Sequence, residues 1–149
     1  MKKLFETDNS WAGLILRLGA GIVMFPHGMQ KVFGWFGGFG LATTFNYMTG
    51  MEHISAVFAA LAIIAESLGS VALIVGVLSR VAAFGIGIDM IVAAFMAHVK
   101  NGFFMNWVGH QAGEGFEFHV LTVAIAIAVM IIGAGKWSVD RAIASRWKE

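Results

Sequence analysis

The sequence predicts an all-α integral membrane protein: a four-helix bundle of membrane spans followed by a short amphipathic C-terminal helix. Three observations carry that expectation. Hydrophobic residues make up 58% of the 149-residue chain and its mean hydropathy is +0.79, against roughly 45–50% apolar residues in soluble domains. So short a chain has too little interior to hide that much apolar surface from water. The apolar residues are also gathered into four segments, 11–33, 54–78, 81–99 and 116–135, each close to the ~20 residues a helix needs to cross ~30 Å of hydrocarbon. The length leaves room for one domain, residues 1–149.

The first segment follows Lys2 and Lys3 but is longer than the ~7–15 apolar residues of a signal peptide. It contains Arg17 and has no small-residue cleavage site, so it reads as an uncleaved first span. Pro26, the only proline, falls late in it and is a potential kink. The glycine- and aromatic-rich stretch GWFGGFG, residues 34–40, leads away from the first span. Only Ser79 and Arg80 separate the second span from the third, which predicts a tight antiparallel hairpin turning at those two residues. Residues 100–115 join the third span to the fourth. Trp35 and Trp107 in the two longer loops have the amphipathic character of headgroup anchors. After the fourth span, 137–149 has an amphipathic pattern with Ser138 placed to cap it.

Charge sets the orientation and excludes several functions. With four spans, both termini share a side with the Ser79–Arg80 turn. That side carries Lys2, Lys3, Arg80, Lys136, Arg141, Arg146 and Lys148, against Lys31 and Lys100 opposite, so the positive-inside bias puts both termini in the cytoplasm. A net charge of +1 leaves no basic face for nucleic acid. The absence of cysteine excludes disulfides, thiolate metal sites, iron–sulfur clusters and thiol relays within the chain.

The spans nevertheless hold ionisable side chains: Arg17, His27 and Lys31 in the first, Glu66 in the second, Asp89 and His98 in the third, Glu117 and His119 in the fourth. Each costs roughly 2.5–3.5 kcal/mol at mid-bilayer on insertion scales, so they are expected to find partners inside the bundle. Helical spacing places the acids on small-residue faces, where membrane helices approach closely. Those faces are Ala59, Ala62, Glu66, Gly69 and Gly76; Ala82, Gly85, Asp89 and Ala93; and Glu117, Ala124, Ala128 and Gly135. Arg17 and Lys31 fall about 40° apart around their helix. The expected arrangement is an Arg17–Glu66 pair in the inner half and a cluster of His27, Lys31, His98, Glu117 and His119 in the outer half. Asp89 falls about 180° from His98, which separates the two, and Glu117 and His119 diverge by about 200°. No two potential ligands have the spacing that presents a metal from one helix, so no metal site is expected. His53 and His110 read as loop residues.

The stretches RLGAGIVMFPHGMQKVFGWFGG, AESLGSVALIVGVLSRVAAFGI and HVKNGFF, and GEGFEF followed by GAGKWSVD, together resemble the DoxX family over roughly Leu14 to Asp140. Positions matching the family pattern are Arg17, Gly28, Lys31, Glu66, Gly69, Gly76, Arg80, Ala83, His98, Gly102, Phe103 and Glu117. Asp89 lies outside it. The resemblance implies a four-helix protein of the bacterial inner membrane. Some members are described as the quinone-facing subunit of a thiosulfate:quinone oxidoreductase, and others are linked to oxidative, electrophile or quinone stress. It implies no intrinsic cofactor but a quinone or other lipophilic molecule as ligand, with Arg17, Lys31 or His98 bonding a carbonyl and Glu66 or Glu117 handling a proton. A homodimer or a redox partner subunit belongs to the same expectation. A small transporter or proton relay, and a non-catalytic scaffold, remain open beside it.

Overall fold

The computed structural model describes residues 2–147; Lys148, counted above among the basic residues, and Glu149, the end of the expected C-terminal helix, lie outside the described residues. Every regular element among those residues is helical. A short α1 (Lys2–Phe5) precedes α2 (Trp11–Phe33). Ser10 caps α2 by accepting from the Gly13 N–H at 3.1 Å, and Gly34 ends it with φ 72°. The helix continues through Pro26 without a break.

The loop after α2 is more ordered than its glycines suggest. A 3-10 turn at Trp35–Gly37 leads into a ten-residue helix, α3 (Leu41–Gly50), lying against both α2 and α4. The second span is α4 (Ala56–Val75). Gly76 takes φ 76° and stops it, so the hairpin turns at residues 76–78, and Ser79 and Arg80 already belong to α5 (Ser79–Ala93). The turn therefore sits earlier than the charge of Arg80 suggested, because only glycine enters the left-handed region without steric cost. Beyond Ala93 the helix continues as a π-helical turn, Ala94–His98, and a 3-10 turn, Val99–Asn101. The last long helix, α6 (Glu117–Ile132), has 16 residues and stops where Gly133 takes φ 81°. Ser138 accepts from the Arg141 N–H and starts α7 (Val139–Arg146) as expected.

The four long helices form a closed ring in which α2 packs on α4, α4 on α5, α5 on α6, and α6 back on α2. Their outward faces carry exposed large apolar side chains, among them Ile15, Phe58, Leu68, Phe84, Phe95 and Leu121. The interior is built from smaller or flexible ones, including Ala20, Met24, Leu73, Ala83, Ile86, Ala126 and Val129. Large apolar groups outside and small ones within is the pattern of a lipid-facing bundle. Helix α2, helix α4 and the run from Ser79 to Asn101 are long and apolar enough to cross a membrane, whereas α6 is shorter. Between the long helices the glycine approach is closest at Gly28, where a Cβ would stand 2.5 Å from the Glu66 carbonyl oxygen and the Ser67 Cα. Backbone meets backbone there, which fixes α2 and α4 in register.

The small-residue faces hold unevenly. Ala59, Glu66, Gly69 and Gly76 are buried as expected. On α5 the buried line is Ala83, Ile86, Gly87 and Met90, and the expected face is the half-buried stripe beside it. On α6 the expected face is wrong: Ala124 is exposed, and His119, Thr122, Ala126 and Val129 point inward. That face was drawn through Glu117, whose carboxylate turns away to the preceding loop.

Candidate functional site

The buried polar groups divide between the two ends of the ring. At the end where α1, the α4–α5 turn and α7 gather, Arg17 is 1% exposed. Its guanidinium is fully used. Nε donates to the Ala134 carbonyl oxygen at 2.8 Å, Nη1 to Leu73 and Ile74 at 2.8 and 2.6 Å, and Nη2 to Lys136 and Trp137 at 3.2 and 2.8 Å. Leu73 and Ile74 lie in the last turn of α4, where carbonyls lack partners within the helix and the dipole favours a cation. One side chain thus ties α2 to the end of α4 and to the segment leading into α7.

Asp140, also 1% exposed, completes this clamp from α7. Its carboxylate accepts from the backbone N–H groups of Leu78 at 2.6 Å and Ser79 at 2.9 Å, capping α5 across a long sequence gap. Leu78 sits in the left-handed region at φ 48°, a costly conformation for a branched residue, and the cap holds it there. Arg80 adds bonds to the carbonyls of Glu6, Met130 and Ile131. Sequence reading missed Asp140; its one signal was an acid set among the basic residues of the tail, two positions after a capping serine.

The expected Arg17–Glu66 pair does not form. Glu66 is bound instead by Lys31, with Nζ 2.5 Å from Oε2 and side-chain exposures of 28% and 8%. Arg17 and Lys31 do share a side of α2, but fourteen residues of rise separate them by ~21 Å. The Gly28 contact puts Glu66 at the level of Lys31.

Around this ion pair the ring contributes one further ionisable group from each remaining helix. Asp89 of α5 lies against the Glu66 carboxyl. His119 of α6 is buried, and its ionisable neighbours are His98, Glu66 and His27. The rings of His98 and His119 lie 4.2 Å apart between centroids. His98 Nδ1 donates to the Glu114 carbonyl oxygen at 3.0 Å, which fixes a proton on that nitrogen. Among the described residues two buried polar atoms of the cluster are left over: His119 Nδ1 has no hydrogen-bond partner, and Asp89 Oδ2 meets only the Glu66 carboxyl, with which it bonds only if the two share a proton.

The structure therefore brings together Lys31, Glu66, His98 and His119, adds Asp89, and sets the other candidates apart. His27 stands at the edge of the cluster, a neighbour of His119 but exposed on the flank of α2 with its ring 6.2 Å from that of Phe118. Glu117 accepts from the Met105 N–H at 3.0 Å and from Trp107 Nε1 at 3.3 Å, pinning the loop before α6. Asp89 meets Glu66 and Lys31, whereas His98 meets His119, and the 180° drawn between Asp89 and His98 does not describe the phase of this helix. It assumes a uniform α-helix, whereas the π-helical turn at Ala94–His98 winds more loosely and changes the phase of His98. Between the two polar ends lies the apolar layer of Ala20, Met24, Leu73, Ile86, Met90 and Val129. Among the described residues no three His, Asp or Glu side chains are arranged to hold a metal.

A helical ring that exposes large apolar side chains and buries its charges defines an integral membrane protein. The chain belongs to the DoxX family, whose family model matches residues 12–99. The matched stretch contains Arg17, Lys31, Glu66 and His98 and ends before α6 and the Asp140 cap. No curated protein and no solved structure matches the chain.

Proposed function

We propose that the cluster of Lys31, Glu66, Asp89, His98 and His119 binds a lipophilic small molecule bearing hydrogen-bonding carbonyls, a quinone by chemical class. The observation that carries this reading is the unpartnered His119 Nδ1, with Asp89 Oδ2 facing only another carboxyl, beside a buried ion pair. A buried polar group without a partner costs about 1–3 kcal/mol, and a ligand supplying a complementary group recovers that cost. Lys31 and His119 are the groups to bond a ring carbonyl, and Glu66 with Asp89 the groups to exchange a proton with it. Arg17 has no role at the ligand, because its donors are committed to backbone carbonyls. The polar groups buried between the two ends, Ser67, Ser70 and Thr122, donate to carbonyls of their own helices and none is ionisable, which favours a binding site over a continuous relay. A redox or stress-response role follows if the bound quinone exchanges electrons with a partner subunit, and a homodimer is a second assembly of the same site.

In this reading the chain lies in a bacterial inner membrane with four crossings and both termini cytoplasmic. Lys2, Lys3, Arg80, Lys136, Arg141 and Arg146 gather at the clamp end, against Lys31 and Lys100 at the cluster end. With no native cysteine, single cysteines replacing Ser145 and Gly109 report the two sides by impermeant-maleimide labelling of intact cells. Labelling of Gly109→Cys alone is expected, and the opposite pattern inverts the topology. Quinone titration of detergent-solubilised protein, followed by tryptophan quenching, tests the site. Saturable quenching is expected, weakened roughly tenfold or more in His119→Ala and Glu66→Gln by loss of a strong hydrogen bond. Linear, unsaturable quenching in the native protein, or saturation unaltered in both variants, refutes the site.

A further inference from the structure

On the outer surface of the clamp end, three hydrogen-bond donors stand together with no protein acceptor. The ring of Trp11, the first residue of α2, meets that of Trp137 edge-on at 5.1 Å between centroids, and Lys136 Nζ lies 4.2 Å from the centre of the Trp11 ring. The two indoles are 51% and 76% exposed. Trp107, at the other end, spends its indole N–H on Glu117. Among the described residues the indoles of Trp11 and Trp137 have no such acceptor, and Lys136 forms no ion pair although Glu6 and Asp8 lie in the neighbouring segment. We infer that Trp11, Lys136 and Trp137 form a docking site for the phosphate head group of an anionic phospholipid, so that the protein selects anionic over zwitterionic lipid at this end.

The backbone under these side chains is fixed. The segment between α6 and α7 crosses the start of α2: the Gly135 N–H donates to Thr7 Oγ1 at 2.7 Å and the Lys136 N–H to the Ser10 carbonyl oxygen at 3.1 Å, while the carbonyls of Lys136 and Trp137 accept from Arg17 Nη2. A Cβ on Gly135 would stand 2.4 Å from the Leu14 nitrogen, so the segment lies directly on α2. Trp137 itself takes φ 50°, a region costly for any residue with a Cβ. Its indole is mostly exposed and packs little against the rest of the chain. Strain kept beneath an exposed side chain points to something that side chain meets outside the fold. Charge then selects the partner. Indoles favour the head-group level of a bilayer, which puts the ammonium at the depth of the lipid phosphates. Lys136 occupies the Trp11 ring on which a choline would otherwise rest, so a zwitterionic head meets a cation where it would need an aromatic face. Lys2, Lys3, Arg141 and Arg146 at the same end add to the positive field.

The test titrates detergent-purified protein with an equimolar mixture of phosphatidylglycerol and phosphatidylcholine of the same acyl chains and counts bound lipid by native mass spectrometry. The first lipid bound by the native protein is expected to be phosphatidylglycerol, with a preference of about tenfold. Lys136→Gln should cut that preference to about twofold, a fivefold loss being the contribution of roughly one lysine at an anionic surface. Lys3→Gln, on the exposed face of α1, should keep the preference within about twofold of the native value. Trp137→Gly relieves the left-handed strain. It should therefore weaken the preference while melting, in lipid-free detergent, no lower than the native protein. Equal uptake of the two lipids by the native protein overturns the inference. So does an equal loss in Lys3→Gln and Lys136→Gln, which makes the effect a diffuse field, and so does a full preference kept in both Lys136→Gln and Trp137→Gly. A Trp137→Gly protein that melts lower without lipid assigns the indole to the fold and overturns the site as drawn. Inorganic phosphate that raises the melting temperature as much as phosphatidylglycerol does makes a free anion the occupant and overturns the lipid assignment.

Discussion

Asp140→Ala removes a carboxylate carried outside the spans, yet it should be among the most destabilising substitutions in the chain. The side chain is 1% exposed and accepts two backbone N–H bonds, at 2.6 and 2.9 Å. An ordinary N-cap contributes about 1 kcal/mol and at most ~2 kcal/mol. Here the acceptor is charged, which raises each bond to about 1.5–3 kcal/mol net. Alanine also leaves the Ser79 N–H buried without a partner and frees Leu78 from a conformation that costs about 1–2 kcal/mol. The expected loss is about 3–5 kcal/mol. Asp140→Asn keeps one carbonyl oxygen for one of the two donors and should lose about half as much. Reversible unfolding in mixed micelles measures the loss, with Asp8→Ala as the exposed control, expected within about 0.5 kcal/mol of the native protein. Because the carboxylate also holds α7 against the α4–α5 turn, trypsin should cleave at Arg141 and Arg146 faster in the alanine variant. An Asp140→Ala protein that unfolds like the Asp8→Ala control, with unchanged proteolysis, refutes the cross-chain cap.

Arg17→Lys keeps the charge but replaces a planar fork with three donors from one nitrogen, so it cannot span the Leu73–Ile74 and Ala134–Trp137 carbonyls together; the same unfolding assay should show a loss of about 2–4 kcal/mol, with quinone titration unaffected in the folded fraction. Lys31→Met alone leaves the Glu66 and Asp89 carboxyls facing each other without their cation and should cost about 3 kcal/mol. The double variant Lys31→Met, Glu66→Gln should recover most of that loss, and a purely additive double-mutant cycle shows that the pair is not coupled. Tyr47, the only tyrosine, donates to Glu52 Oε1 at 2.7 Å, and this hydrogen bond, followed by the carboxylate's charge, holds its phenol above the ordinary value of about 10. Its stabilising contribution is therefore present below the unfolded phenol's pKa and is lost as pH rises through the higher folded one. Absorbance titration of phenolate should move to lower pH in Glu52→Ala, which removes both the acceptor and the charge, and an unmoved curve removes Glu52 as the cause.

The helical class was legible because hydropathy needs no knowledge of packing: length and apolar runs alone give α2 to within its observed ends. What sequence spacing cannot supply is depth and phase. Arg17 and Lys31 share a face of α2, and either could meet a single acid until the Gly28 contact fixes how far α4 slides along α2. Phase is not readable through Ala94–His98, where a π-helical turn departs from 100° per residue and His98 meets His119. Helix α3 was hidden because four residues of its leader are glycines, which speak for a loop, while the LATTFNYMTG that follows is too short for its pattern to stand out. Asp140 was missed because its partners are backbone groups more than sixty residues away, and no side-chain pattern records a backbone donor.

The two polar ends differ in a way that bears on which one does chemistry. At the clamp, charges meet backbone groups: every guanidinium nitrogen of Arg17 and both carboxylate oxygens of Asp140 are used, and helix ends are closed. Among the described residues the one buried side-chain atom left over there is the neutral Ser79 hydroxyl, and the charged side chains of the clamp are spent on backbone groups that fix the register of the helices. At the other end side chains meet side chains, and two buried atoms are left over. An ion pair used only to hold helices together would gain from having every neighbour satisfied, because a half-satisfied polar network is worse than an apolar one. The family match covers residues of both ends, so membership alone does not separate structure from function. Buried ionisable groups with unmet hydrogen bonds occur at the cluster of Lys31, Glu66, Asp89, His98 and His119, whereas the buried charges of the clamp are all committed, and this difference supports the proposed site with Arg17 as the scaffold beneath.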